Sequence, residues 1–317
     1  MYHRVDEQGI DPWSLCVTPE HFAAHLDVLR RHLHPISLQN LAVAHGKAEI
    51  PDGAVAITFD DGYANNLFNA KPLLAEKDIP ASVFVTTGYV GQAREFWWDE
   101  LEQVILQPEH LPSQLSLLIQ GQEKTWEVGE AIDYSTAAYQ HDRGLHVLSD
   151  RASPRLKFYY AVWQALQGLD ETERSQHLTE IYNWATVQPV ARSSHRPMTA
   201  AELCHLEAGG VVEIGAHTVH HPLLSAQTPS VQQAEISESK ASLEAILGHP
   251  VQSFAYPFGV YSQETIGLVQ QTGFSCACTT VAESVWQGDH SLQLPRFEVR
   301  NWSGDEFEHR LSRWLQT

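Results

Sequence analysis

Two kinds of hydrophobic spacing alternate along most of the chain. Short apolar runs at residues 55–59, 80–88, 211–217 ("VVEIGAH"), 252–259 ("QSFAYPFG") and 274–280 ("FSCACTT") read as buried strands. Helical spacing lies between and around them. Thr18-Pro19 supplies a cap and a first-turn proline, and Phe22, Leu26, Leu29 and Leu33 then recur on one helix face. "NNLFNAKPLLAEKD" (65–78) is a helix broken or kinked at Pro72. Thr199-x-x-Glu202 is a capping box whose helix stops at Gly209-Gly210. Thr228-Pro229 opens a long helix ending at Gly248, Ser262 caps one ending at Gly273, and Ser303-x-x-Glu306 caps the last. Strands separated by helices predict an α/β fold with a mainly parallel sheet. With six or seven such units, a closed or nearly closed barrel of about seven strands is expected over an open sheet.

The rhythm breaks between residues 94 and 197. There the pattern predicts a helix over 98–106, a hairpin around Gly121, and helices over 155–166 and 171–184, with no strand–helix alternation. The expected organisation is therefore 1–93 as the first part of a barrel, 94–197 as a mainly helical insertion (a lid or substrate wall), and 198–317 as the second part.

Composition narrows the function. Lys plus Arg number 20 against 39 Asp plus Glu, a formal charge of -19 on 317 residues. Such a surface repels phosphate backbones and anionic lipid, so nucleic acid is excluded as a natural partner, whereas a neutral sugar is not. Cys16, Cys204, Cys276 and Cys278 form no CxxC pair and no disulfide framework, and Cys276 and Cys278 share a strand face expected in the core. The opening "MYHRVDEQG" lacks a charged-then-apolar leader pattern, and no apolar run reaches the roughly 18 residues of a membrane span. A soluble, cytoplasmic protein is the expectation; the oligomeric state is not legible.

The candidate chemistry falls at strand ends, where barrels of this kind carry it. The 55–59 strand runs straight into Asp60 and Asp61. Asp-Gly is a common turn pair, which accounts for Asp61-Gly62 but not for Asp60. "GAHTVHHP" (215–222) places His217 and His221 four apart at another strand end, with His220 between. Two imidazoles and one aspartate make a three-ligand site for a catalytic divalent metal, zinc or another transition metal such as cobalt or nickel. The second aspartate is then free to act as general base. Because adjacent strand residues point opposite ways, both carboxylates reach one site only if the strand breaks into a turn at Asp61-Gly62. His21 and His25 show the same spacing on the first helix, without a carboxylate cluster, and read as a solvated helix face.

"TFDDG" (58–62), "HTVHH" (217–221) and "FAYPFG" (254–259) together resemble the polysaccharide deacetylase family, carbohydrate esterase family 4. The resemblance covers residues 50–92 and 199–300. It implies a distorted (β/α) barrel and metal-dependent hydrolysis of an N-acetyl or O-acetyl group, usually on an amino sugar, with a sugar or glycan as partner. Carried over, Asp60 is the base and Asp61, His217 and His221 hold the metal. The backbone N–H of Phe258 is an oxyanion donor, and Tyr256 and Pro257 of the same motif contact substrate.

This sequence departs from the family pattern at two places. The arginine that steadies the base is commonly in the third motif, where Ala255 stands here; Arg296 in "LPRFEVRNW" is the candidate substitute, with an ordinary surface ion pair as the alternative. The leucine-x-histidine motif that supplies the general acid is missing, and His290 is not in that form. "MYHRV" resembles the opening of an exopolysaccharide-deacetylating subgroup, which makes His3 the candidate acid. In "EFWWDELE", Trp97, Trp98 and Asp99 form an aromatic-plus-acid cluster suited to a sugar ring, against the alternative of core tryptophans at a helix start. Tyr159, Tyr160 and Trp163 are expected in the core. The combined expectation is a metal-dependent deacetylase of an amino sugar, oligosaccharide or glycan precursor. Its rivals are a deformylase or cyclic-amide hydrolase on the same site, and a dead, carbohydrate-binding relative suggested by Ala255.

Overall fold

The computed structural model of the chain describes residues 1–7 and 9–315. Its backbone contacts divide it into two units. One comprises residues 1–7, 15–92 and 197–317; the other comprises 8–14 and 93–196.

The first unit is built on a parallel sheet of five strands in the order Cys276–Cys278, Ser253–Ala255, Val212–Ala216, Ala81–Val85, Ile57–Phe59. Every pairing in it is parallel. Helices connect the strands, as parallel neighbours require. Single bridges extend the sheet at both edges: Tyr2 pairs with Phe59, and Leu294 with Cys278. Between those edges the Val299 N–H donates to the Met1 carbonyl at 3.0 Å. The expected barrel of about seven strands is met by five strands and two such segments. Phe59, Val83, Ile214, Ala216 and Phe254 are buried in its core with Phe22, Leu26, Ile236 and Phe307 from surrounding helices.

The helix signals are found where the sequence put them. Thr18 caps Pro19–His32, the capping box at Thr199 opens Ala200–Glu207, and Pro229–Leu247 ends in a left-handed Gly248. Near Pro72 the chain forms a π turn, Asn66–Ala70, before the α-helix Lys71–Glu76, so the proline sits in a first turn where its missing N–H costs nothing. One expectation fails. His25 is fully buried, with Nε2 2.7 Å from the Trp302 carbonyl and its ring packed on Phe307, and burial lowers its pKa to about 4. His21 is bonded to Asn301 at 2.7 Å. The pair is an internal brace rather than a solvated face.

The second unit carries the helices Trp97–Leu106, Thr136–Asp142, Pro154–Leu166 and Glu171–Ala185 and one antiparallel hairpin, Gln114–Ile119 with Gln122–Glu127. Gln120 and Gly121 both have positive φ (50° and 75°), the two-residue turn that matches strand twist. Arg155 is buried with its guanidinium on the carbonyls of Ile105, Pro108, Ala131 and Ile132, which ties a helix end to a loop without a carboxylate. Among the described residues, no helix is long and apolar enough to cross a membrane.

The strand Val212–Ala216 leads into His217, so its seating sets the site. A Cβ added at Gly215 would lie 2.5 Å from both the Phe84 ring and the Ser253 hydroxyl. Gly215→Ala is therefore expected to destabilise the protein by about 1–3 kcal/mol. A lowered urea midpoint with an unchanged slope checks this; an unmoved midpoint refutes the tight seating.

Candidate active site

The puzzle of the paired aspartates is resolved by the backbone. Asp60 still belongs to the sheet, its N–H donating to the Tyr2 carbonyl at 3.0 Å. Asp61 then turns left-handed (φ 74°), followed by Gly62 (φ 90°), whose N–H returns to the Asp60 carbonyl at 3.0 Å. The Asp61 carbonyl accepts from Thr86, beyond the end of the neighbouring strand, at 3.1 Å. The break in the strand brings both carboxylates to one end of the sheet, and both are buried, 3% exposed.

His217 follows Val212–Ala216 at the same end. Its Nδ1 lies 2.8 Å from the Ala255 carbonyl. A carbonyl only accepts, so Nδ1 carries the proton and Nε2 presents a lone pair. That nitrogen is 3.7 Å from Asp61 Oδ1, and His221 Nε2 is 3.6 Å from the same oxygen. The ligating atoms of the three residues all lie within 4.8 Å of one another. A tetrahedral ion with bonds of about 2.1 Å separates its ligands by roughly 3.4 Å, so the set fits a divalent ion with small adjustment. Burial lowers the His217 pKa against the opposing pull of Asp60, which favours the neutral ring, the form that can ligate a metal.

Asp60 has a different environment. Arg296 grips it with two parallel bonds, Nη1 to Oδ1 at 2.7 Å and Nη2 to Oδ2 at 2.8 Å. The guanidinium is fixed by Nε to the Thr279 carbonyl (2.9 Å), by Nη1 to the Thr58 hydroxyl (3.0 Å) and by the Phe84 ring beneath it. Burial alone would push the Asp60 carboxyl up; the Arg296 charge and bonds, with His217, overcome it and hold the group well below the usual carboxylate range. Arg296 is thus a buried partner of Asp60 and not a surface ion pair. Burial brings the His3 pKa to about 4 against the raising effect of Asp60, with smaller lowering effects from Arg296 and His217, so His3 lies within electrostatic reach of the site.

The remaining candidates divide. Phe258 sits left-handed (φ 58°) in the turn after Pro257, with its ring edge on His221 at 4.5 Å between centroids. Tyr256 is corrected: its ring is fully buried between Phe254 and Tyr261 and its hydroxyl donates to the Leu292 carbonyl at 2.9 Å, so it is core and offers no face to a sugar. Pro257, the first residue of that turn, is buried as well. His290 accepts the Leu292 N–H as a local cap.

Trp97, Trp98 and Asp99 belong to the second unit. Trp97 is corrected for the same reason as Tyr256: it is fully buried, ring against Trp163 and under the Arg174 guanidinium. Trp98 is 5% exposed and stacked on Phe96 at 4.9 Å, which likewise removes it as a platform. Asp99, Glu102 and His195 bring ligating atoms within 4.8 Å of one another. Arg192 pairs with Glu102 and Glu95 and donates to the Asp99 main-chain carbonyl, so Glu102 already belongs to a buried ion-pair network.

Sequence reasoning missed two residues around the histidines. The Thr218 hydroxyl accepts the His221 N–H at 3.0 Å, a turn that "HTVHH" could have signalled. The Glu235 carboxylate meets the same loop from a distant helix, and nothing local announces it.

Comparison with known proteins agrees with this geometry. The polysaccharide deacetylase family model matches residues 47–113 and 179–277, more than half of the chain, and the chain belongs to that family. It is 30% identical over 115 residues to YxkH of Bacillus subtilis (strain 168), whose name assigns it to the polysaccharide deacetylases; the match takes in 35% of this chain and 41% of that one. In fold it is similar to the deacetylase PplD of Streptococcus pyogenes, solved with acetate (TM-score 0.59, 18% identity, 100% of this chain and 96% of that one). It is also similar to IcaB of Ammonifex degensii (TM-score 0.60, 18% identity, 100% and 95%).

The Asp60–Arg296 pair has a measurable energy. Arg296→Met strands a buried carboxylate and is expected to cost about 3–5 kcal/mol, of which the Asp60→Asn/Arg296→Met double variant regains a large part. Because folding depresses the Asp60 pKa, the pair's contribution is complete above about pH 4 and fades as pH falls through the lower folded value. Urea denaturation of the four proteins at neutral pH checks the coupling; strictly additive losses would sink it.

Proposed function

We propose that the chain is a metal-dependent deacetylase that hydrolyses the N-acetyl (or O-acetyl) group of an amino sugar, oligosaccharide or glycan precursor. One observation carries this: Asp61, His217 and His221 converge their ligating atoms within 4.8 Å at the strand ends, beside a second carboxylate, Asp60, held separately by Arg296. Family membership supports a deacetylating hydrolase acting on carbohydrate.

A divalent ion in the triad, zinc by the N/O donor set, would polarise the acyl oxygen and acidify the attacking water. Asp60 takes that water's proton. Each of its oxygens is engaged by Arg296 through one lone pair and keeps another for the reaction. The Phe258 N–H donates to the acyl oxygen as negative charge develops there. The water oxygen bonds to the acyl carbon, the C–N bond breaks, and its electron pair stays on nitrogen, which must be protonated to leave. With a pKa of about 4, His3 is neutral near pH 7, so a proton it hands to nitrogen has first come from water through Asp60. The cue for a dead relative was Ala255; Arg296 supplies the missing guanidinium and removes that cue.

The test is elemental analysis of the purified protein together with acetate release from N-acetylglucosamine oligomers before and after chelation. About one metal per chain and chelator-sensitive acetate are expected; no zinc uptake on incubation would sink the ligand set. Asp60→Asn should lose about 10²–10⁴-fold in rate with metal retained, His217→Ala should lose both, and His3→Ala should lose rate alone. An undiminished rate in His3→Ala would remove it as the acid.

A further inference from the structure

The loop bearing His217 and His221 is strained at both ends. Thr218 (φ 65°) and His221 (φ 54°) are left-handed without being glycine, and for β-branched Thr218 that conformation is a true outlier. Such backbone persists only where its surroundings hold it. The first two holds come from the neighbouring strand end, Thr87 N–H to the Thr218 carbonyl (3.1 Å) and Gly88 N–H to the Val219 carbonyl (2.7 Å).

The third hold is a charge. Glu235, on the helix Pro229–Leu247 and 9% exposed, accepts the consecutive N–H groups of Val219 and His220 on one oxygen, each at 2.8 Å. Its other oxygen faces His220 Nδ1 at 2.8 Å. Consecutive backbone N–H groups aimed at one point form an anion cradle, and here the protein's own carboxylate fills it. This bond ties His220 to the helix, and His220 is not among the residues whose ligating atoms converge with Asp61. Its ring lies against residue 88, where a Cβ would come within 3.0 Å of Nε2, so the arrangement also requires Gly88.

We infer that Glu235 is a positioning residue for the metal site. It fixes the crest of the loop, so that His217 and His221 face Asp61 while His220 is retained as its clamp. The inference rests on the reading of His217 and His221 as metal ligands.

The test compares wild type, Glu235→Ala, Glu235→Gln and the control Ile236→Val, which loosens the same helix from its fully buried side. Zinc affinity is measured by competition with a chromophoric chelator, and exchange of the Val219 and His220 amides is measured on the metal-free proteins. Glu235→Ala should bind zinc about 10–100-fold more weakly, with faster exchange at both amides. Glu235→Gln, which keeps an acceptor oxygen, should fall between, and Ile236→Val should match wild type in both. Equal affinity in Glu235→Ala and wild type overturns the inference, and so does an equal loss in Ile236→Val, which would mean general loosening. If Glu235→Ala does not fold, Glu235→Gln carries the comparison on the same terms. A wild type that takes up no zinc defeats the metal reading instead; Glu235 as the loop's clamp then stands or falls on amide exchange alone.

Discussion

The grip of Arg296 on Asp60 joins residues 236 positions apart and is buried on both sides. A carboxylate buried at the strand ends of a parallel sheet is costly unless a fixed partner meets it. Here the partner arrives on the segment that bridges the last strand of the sheet at Leu294, and residues just beyond it reach the opening of the chain through Val299 and Met1. Closing the sheet and neutralising the site are thus one structural event. The other anchors of Arg296, Thr58 and Thr279, lie on or just beyond the two edge strands of the five, so the guanidinium also staples those edges together.

Around this pair the backbone is bent where function needs it. Asp61, Thr218, His221 and Phe258 are non-glycine residues with left-handed φ, and all four sit at the strand ends that form the site. Regular strands would have sent Asp61 to the opposite face from Asp60. The bends at Asp61 and in the histidine loop are held by hydrogen bonds from neighbouring elements, Thr86 on Asp61 and the Glu235 carboxylate on the loop. Strain of this sort marks a place where geometry outranks local preference.

Local pattern explains what the sequence could and could not reveal. Caps, turns and strand–helix alternation depend on neighbours in the chain, so the capping box at Thr199, the hairpin at Gly121 and the parallel strands were legible. The two aspartates and the paired histidines were legible because each lies within a few residues of a strand end. Arg296 could be named as a candidate, but only closure of the sheet shows that it reaches Asp60. Glu235 sits on a helix of ordinary composition and acts through backbone N–H groups that no sequence displays. Trp97, Tyr256 and His25 were misread for one reason: residue type suggests what a side chain can touch, and burial decides what it does touch. Residues 8–14, which group with 93–196, gave no local sign of that association.

The two halves of the site constrain each other on the proposed reading. Arg296 makes Asp60 safe to bury, and the same interaction makes it a weak base, because a carboxylate held far below its usual pKa has little appetite for a proton. Such a base can work only on water that is already acidic. The Asp61, His217 and His221 triad is what would make it so; burial favours the neutral ring of His217, and the Ala255 carbonyl fixes its proton on Nδ1 so that Nε2 faces Asp61. A stronger base would need a looser Arg296, which would return the desolvation cost of the buried carboxylate to the fold. The pairing of a tightly held aspartate with a metal-ligating triad is therefore the arrangement that satisfies stability and proton transfer together.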